Sequence, residues 1–306
     1  MTNRPHFNAL LDQCADKPPL RLIVIRPEHA SSLEGAMQAQ AKGLITPIFV
    51  GSSDRISKAA AEIGVDISNI EHHEVDDERG AAIKAAELAR DGVGNGLMKG
   101  SIHSDVYMGA VLQKEMGLRG ESRASHCFVM DVPNWSKPFI ITDAALNIKN
   151  SLDVKAAITR NAIGFSRAMG VTEPKVAILS STEVPMPELP SATDAVELAK
   201  LSKDGEFGDA IVDGPFALDN AMSKYSAKLK GITSPVAGDA DILVVPSIEA
   251  GNIFFKALTV LGGAETAGLV VGLKVPAVLT SRADSAEAKL VSCALAVLYQ
   301  AQMNAL

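Results

Sequence analysis

The sequence predicts an α/β protein built on two mostly parallel sheets, and three observations predict it. Short aliphatic and β-branched runs recur along the chain, longer Ala-rich stretches alternate with them, and small polar and charged residues gather just past several of the runs. Continuous apolar runs suit strands buried on both faces, and parallel strands need helical crossovers between them. In open α/β sheets chemistry sits beyond the carboxyl ends of such strands.

In chain order, Leu22-Ile23-Val24-Ile25 predicts a first strand, residues 31–42 a helix, Ile48-Phe49-Val50 a second strand and residues 55–63 a second helix. Val176-Ala177-Ile178-Leu179, Ile211-Val212, Ile242-Leu243-Val244-Val245 and Ala277-Val278-Leu279 continue the strand pattern. The last three runs are followed by Asp213-Gly214-Pro215, by Glu249-Ala250-Gly251-Asn252 and by Thr280-Ser281-Arg282-Ala283-Asp284, read here as turns that could share one cleft. Glu71-His72-His73-Glu74 with Asp76 and Asp77 reads as a solvated loop.

Composition narrows the function classes. Lys and Arg total 29 against 36 Asp and Glu, a net charge of −7, so no bulk basic field is available for nucleic acid and an anionic ligand needs local positive charge. With 47% hydrophobic and 21% charged residues the chain has the balance of a folded protein, and 306 residues suggest about two domains. Three scattered cysteines, Cys14, Cys127 and Cys293, form no CxxC pair, which argues against a disulfide framework or zinc site and for the cytoplasm. The most apolar stretch, residues 267–280, is broken by Lys274 and Pro276 and is too short to span a bilayer. The chain has no GxxxxGK[ST], GxGxxG after a strand, HExxH or GxSxG, which leaves direct transfer between two bound substrates.

Local chemistry points to anions. Asp284 with Glu287 three residues on reads as a capping box before a C-terminal helix, and Arg282 beside that helix mouth suits phosphate oxygens; the alternative is a capped helix whose Arg pairs with an acid. Lys99-Gly100-Ser101 before a helix could grip a phosphate or pyrophosphate, or be a solvated helix entry. Gly251 would let a ligand approach the main chain and Asn252 could bond it, ahead of a helix carrying Lys256; an αL turn with an ordinary N-cap fits equally. Asp213 is a turn residue or a ligand-facing carboxylate. His103 and His126 are isolated and read as structural.

Leu97-Met98-Lys99-Gly100, Gly117-Leu118-Arg119, Thr142-Asp143-Ala144-Ala145-Leu146-Asn147, Val212-Asp213-Gly214-Pro215 to Asp219, Val236-Ala237-Gly238, Glu249-Ala250-Gly251-Asn252 and Thr280-Ser281-Arg282-Ala283-Asp284-Ser285 occur in this order. The set resembles the phosphate acetyltransferase/phosphate butyryltransferase family from about residue 20 to the C-terminus. That resemblance implies exchange of phosphate and coenzyme A on a short acyl group, acetyl or butyryl. It implies an isocitrate/isopropylmalate dehydrogenase-like fold with an interdomain cleft, here residues 1–130 plus 268–306 around an inserted 131–267. A homodimer or larger, no metal, and acyl-CoA and phosphate as substrates with no permanently bound cofactor are also implied.

Carried over residue by residue, Ser281 would stabilise the transition state, Arg282 would hold phosphate, and Asp143 and Thr280 would lie at the substrates with Lys99, Gly100, Ser101, Asp213, Gly251, Asn252 and Lys256. The acidic base of the acetyl branch falls on Ala288, leaving Asp284 and Glu287 as nearby substitutes, of which Asp284 is assigned the role. Met108 and Ala144 replace an Arg and a Cys of that branch, whereas Lys99-Gly100, Gly214-Pro215 and Ala283-Asp284-Ser285 look like the butyryl branch. Two other functions are kept: a non-catalytic CoA or acyl phosphate sensor, and a metal-dependent NAD(P) oxidative decarboxylase using Asp213, Asp219, Asp239 and Asp241.

Overall fold

A computed structural model describes residues 4–133, 135–281 and 284–305. Two compact units divide them, one running through Ser122 and resuming at Ala267, the other spanning Arg123–Thr266. The first unit opens with α1 (Pro5–Asp12), β1 (Leu20–Ile25), α2 (Ala30–Ala41), β2 (Ile45–Gly51), α3 (Ser53–Ile63), β3 (Glu71–Glu74), α4 (Glu78–Arg90), β4 (Gly96–Lys99) and α5 (Ser104–Val111). The second holds β5 (Ser125–Asp131), β6 (Phe139–Thr142), α6 (Leu152–Ala168), β7 (Lys175–Leu179), α7 (Pro190–Lys203), β8 (Ile211–Phe216), α8 (Leu218–Met222), α9 (Lys224–Leu229), β9 (Ile242–Val244) and α10 (Ile248–Val260). The chain returns through β10 (Glu265–Val271), β11 (Ala277–Val278) and α11 (Ala286–Ala305).

In the first unit the strands lie in the order β3-β2-β1-β4-β11-β10. Leu22, Ile23, Val24 and Ile25 of β1 are fully buried, which requires cover on both faces. α2 packs on α11 while α4 packs on β1. The α2 stripe of Ser32, Leu33, Gly35, Ala36 and Ala39 follows helical spacing, and its small residues admit α11 closely. β1 pairs in parallel with β2 and β4, and β4 in parallel with β11, so β1, β4 and β11 end side by side. β10 runs antiparallel to β11.

The second unit has the order β5-β6-β9-β7-β8. Its core gathers Met130, Phe139, Ile141, Ala177, Phe216 and Leu243. β5 and β6 are antiparallel and the rest parallel.

Several sequence readings change. Asp213, Gly214 and Pro215 continue β8 instead of turning after it. β8 ends its strand order, where a proline lacking an N–H costs no ladder bond, and the β7–β8 register shifts beside it. Glu249–Asn252 already lie inside α10, whose N-cap is Ser247, its Oγ accepting from Ala250 N at 3.3 Å. The supposed loop at 71–74 is β3, and residues 267–280 contain β10 and β11. No described helix is long and apolar enough to cross a membrane.

Candidate functional site

The parallel ends of β1, β4 and β11 open into a cavity of about 360 Å³. His29, Ser31 and Ser32 enter from the start of α2, Lys99, Gly100 and Ser101 from the end of β4, Thr280 and Ser281 from just past β11, and Lys289 from α11. No carboxylate belongs to that lining among the described residues, whereas two lysines do. Both are buried: Lys99 is 5% exposed and Lys289 2%.

Gly100 makes the junction possible. Its N–H donates to Ile25 O at 2.9 Å and Ser101 N–H to Arg26 O at 2.8 Å, extending the β1–β4 ladder past the strand. A Cβ at Gly100 would fall 2.3 Å from Ile25 O and 2.5 Å from Arg26 O. Arg26 itself adopts φ 51°, the left-handed region.

Around Ser281 the polar groups interlock. Ser281 N–H donates to Asp284 Oδ2 at 2.6 Å, Lys99 Nζ to Thr280 O at 3.4 Å and Lys289 Nζ to Asp284 O at 2.5 Å. The Thr280 hydroxyl is buried on the cavity wall with no hydrogen-bond partner among the described residues. Ser32 Oγ, which donates to His29 O at 2.9 Å, lies 3.4 Å from Ser101 Oγ. The capping-box reading is corrected here: the α11 cap is Ser285, whose Oγ accepts from Ala288 N at 3.0 Å, because the Asp284 carboxylate is turned back to Ser281.

Burial lifts the Asp284 carboxyl above its ordinary range, opposed by the Ser281 N–H and by the charges of Lys289 and Lys99. Burial lowers Lys289, opposed by Asp284 and Glu34. An adjoining pocket of about 310 Å³ shares His29 and Ser101 and carries Arg26, Arg55, Glu28, Glu78 and His103. There Glu28 bonds Arg26 at 2.8 Å and Arg55 at 2.9 Å, and His103 Nδ1 meets Glu78 Oε1 at 2.8 Å.

Of the residues singled out in sequence, Lys99, Gly100, Ser101, Thr280 and Ser281 meet at the cavity, and Asp284 is bonded to Ser281. Arg282 lies outside the described residues. Asp143, Asp213, Gly251, Asn252 and Lys256 belong to the second unit. The buried Asp143 accepts from Ala145 N, Leu146 N, Asn147 N and Asn147 Nδ2 at 2.6–3.2 Å, which makes it the hub of a tight turn. Gly251 lets α10 approach, since a Cβ there would sit 2.8 Å from Ala144 Cβ, and Asn252 Nδ2 donates to Ala144 O at 3.3 Å. Asp213 Oδ1 accepts from Gly214 N at 2.8 Å, and Lys256 is exposed.

The structure adds His29, Ser31, Ser32 and Lys289. Lys289 left a signal: a lone cation in an otherwise apolar stretch of helix, with Leu290, Val291 and Cys293 after it. The three cysteines are unpaired and buried, Cys14 pushed up to about 11 and Cys293 to about 12 by burial, so none is poised as a nucleophile. Asp239 is ion-paired with Lys175 and Lys137 and Asp241 with Lys137, so these carboxylates serve a lysine cluster.

Residues 78–297 match the phosphate acetyl/butaryl transferase family. The chain is 46% identical over 299 residues to the phosphate acetyltransferase of Rhizobium meliloti, covering 98% of this chain and 95% of that one. It is 37% identical over 297 residues to the phosphate butyryltransferase of Clostridium beijerinckii, covering 97% and 98%. The crystal structure of a branched-chain phosphotransacylase from Enterococcus faecalis V583 superimposes with a TM-score of 0.80 at 31% identity, covering 92% of this chain and 99% of that one.

Proposed function

The chain belongs to the phosphate acetyl/butaryl transferase family and exchanges phosphate and coenzyme A on an acyl group, and we propose that the β1–β4–β11 cavity is where phosphate meets the thioester. The observation that carries this reading is the pair of buried lysines in a hydroxyl-rich wall that has no carboxylate among the described residues. A dianion entering it would pair with the Lys99 ammonium, in a positive field to which the buried Lys289 adds, out of water where charge interactions are strongest.

The chemistry follows from this placement. A phosphate oxygen attacks the thioester carbonyl, the carbonyl oxygen takes up negative charge, and collapse expels the CoA thiolate. Ser281 Oγ and Thr280 Oγ1, the latter without a hydrogen-bond partner among the described residues, are assigned as donors to that oxyanion, and Lys99 offsets the charge of the attacking phosphate. In the reverse direction a thiol of pKa about 8.5 needs a proton acceptor near neutral pH. Asp284, beside Ser281, is assigned that task. Holding both substrates against one wall supplies the proximity that makes direct transfer efficient. Arg282, adjacent in sequence to Ser281, is assigned to phosphate on the family resemblance.

Exposed Ile253, Val260 and Leu261 on and just after α10 favour a homo-oligomer, and three unpaired thiols favour the cytoplasm. We take the two compact units as the working domains.

The decisive assay follows CoA release from acetyl-CoA and from butyryl-CoA with phosphate or arsenate. Tight CoA binding with no turnover would instead identify a sensor. Lys99→Met is expected to raise the phosphate KM roughly thirtyfold, about 2 kcal/mol, with the acyl-CoA KM little moved. An unchanged phosphate KM removes Lys99 from the anion site. For Asp284, whose carboxyl burial lifts, the thiol-consuming rate should fall as pH drops through that raised value, because protonation removes the acceptor. Asp284→Asn should flatten this limb and slow the reaction at neutral pH; a retained limb assigns it to another group.

A further inference from the structure

Lys289 is expensive where it stands. It is the fourth residue of α11, in a first turn whose dipole disfavours a cation, and it is 2% exposed. α2 gives up a side chain to admit it, since a Cβ on Gly35 would fall 2.6 Å from Lys289 Cβ and 3.1 Å from its Cδ. A methionine of similar length would fill the same space without burying charge. The ammonium therefore calls for a use that packing does not supply.

Its hydrogen bonds indicate one. Lys289 Nζ donates to Asp284 O at 2.5 Å and Lys99 Nζ to Thr280 O at 3.4 Å, so two ammonium groups from two different elements hold the carbonyls on either side of Ser281. Between them the Asp284 carboxylate takes the Ser281 N–H at 2.6 Å, and Asp284 N–H returns to Ser281 O at 3.2 Å. We infer that Lys289 is a positioning residue: together with Lys99 it holds the Thr280 and Asp284 carbonyls and thereby sets how Ser281 faces the cavity and how the Asp284 carboxylate is held behind it. The inference rests on the proposed reading of that cavity and adds to it a group that acts through the main chain.

Among the described residues, the charged groups facing Asp284 are Lys289 from α11 and Lys99 from β4, and those facing Lys289 are Asp284 and Glu34 of α2. Removing the Lys289 charge leaves Asp284 easier to protonate, so the acid limb of the thiol-consuming rate moves to higher pH. Lys289→Met is expected to fold with a Tm at or above that of the wild type while kcat falls about tenfold to hundredfold and the acyl-CoA KM stays within about twofold. A purely structural lysine would show the opposite split, a lowered Tm with kcat and the limb in place, and that result overturns the inference. So does a rise in phosphate KM alone, which would make Lys289 a direct ligand. Should Lys289→Met fail to fold, Gly35→Ala decides on the same readouts, because it displaces the lysine stem from outside the cavity; wild-type kcat and limb there overturn the inference. A wild-type protein without phosphate-dependent CoA release fails the reading of the site and the inference with it. A working wild type with an indifferent Lys289→Met fails the inference alone.

Discussion

In Ser281→Ala, kcat is expected to fall about a hundredfold to a thousandfold while both KM values move by less than about threefold. Ser281 lines the cavity just past β11, and its N–H donates to Asp284 Oδ2, so the side-chain hydroxyl is the group this substitution tests as a donor to the reacting carbonyl. A donor aimed at charge that develops only in the transition state acts on kcat and leaves ground-state binding nearly alone. The magnitude also separates Ser281 from Thr280, whose buried hydroxyl has no partner among the described residues. If Ser281→Ala turns over acyl-CoA at the wild-type rate and Thr280→Val does not, the oxyanion donor is Thr280. A pure KM effect in Ser281→Ala would instead make the residue a binding contact.

The second large effect concerns stability. Gly100→Ala is expected to cost about 3 kcal/mol and to abolish phosphate-dependent turnover. The added methyl would meet main-chain oxygens of Ile25 and Arg26 at 2.3 and 2.5 Å, and main chain cannot swing aside as a side-chain tip can. Relief requires prising β4 from β1 where Gly100 N–H and Ser101 N–H bond those same two carbonyls. That displacement moves Lys99 and Ser101, two parts of the cavity wall. Gly109→Ala is the control. It lies in α5 with nothing within 4 Å of its would-be Cβ, so it should be neutral or stabilise by up to about 1 kcal/mol. Urea unfolding of the two variants decides; equal midpoints would mean that the β1–β4 junction yields more easily than its packing suggests.

The α/β class and its buried strands were legible because β1, β2, β7 and β9 are runs of aliphatic residues covered on both faces. Strands carrying other chemistry were not. β3 is Glu-His-His-Glu, held by its pairing to β2 and not by apolar burial, so its composition resembles a loop. β8 contains Gly214-Pro215, a turn signature that an outermost strand tolerates. At the site, Lys99, Gly100, Ser101, Thr280 and Ser281 could be found as polar residues closing apolar runs, the local signal that strand ends provide. Lys289 and the start of α2 reach the same cavity through helix packing across α2 and α11, a long-range relation that spacing along one segment does not encode. Asp284 shows the opposite limit: its spacing to Glu287 fits a cap, yet its carboxylate prefers the nearer Ser281 N–H and Ser285 takes the cap.

β3 has a consequence for how molecules of this chain meet in concentrated solution. As the outermost strand on that side of the first unit, it would offer open main-chain groups to any incoming strand. Glu71 and Glu74 are exposed there, Glu71 tied to Arg21 at 3.1 Å and Glu74 to the Ser53 N–H at 3.0 Å, while His72 Nε2 folds back to Gly51 O. A docking β-ribbon would have to strip water from both glutamates and compete with these bonds, so this margin discourages sheet-to-sheet polymerisation and helps keep the protein dispersed.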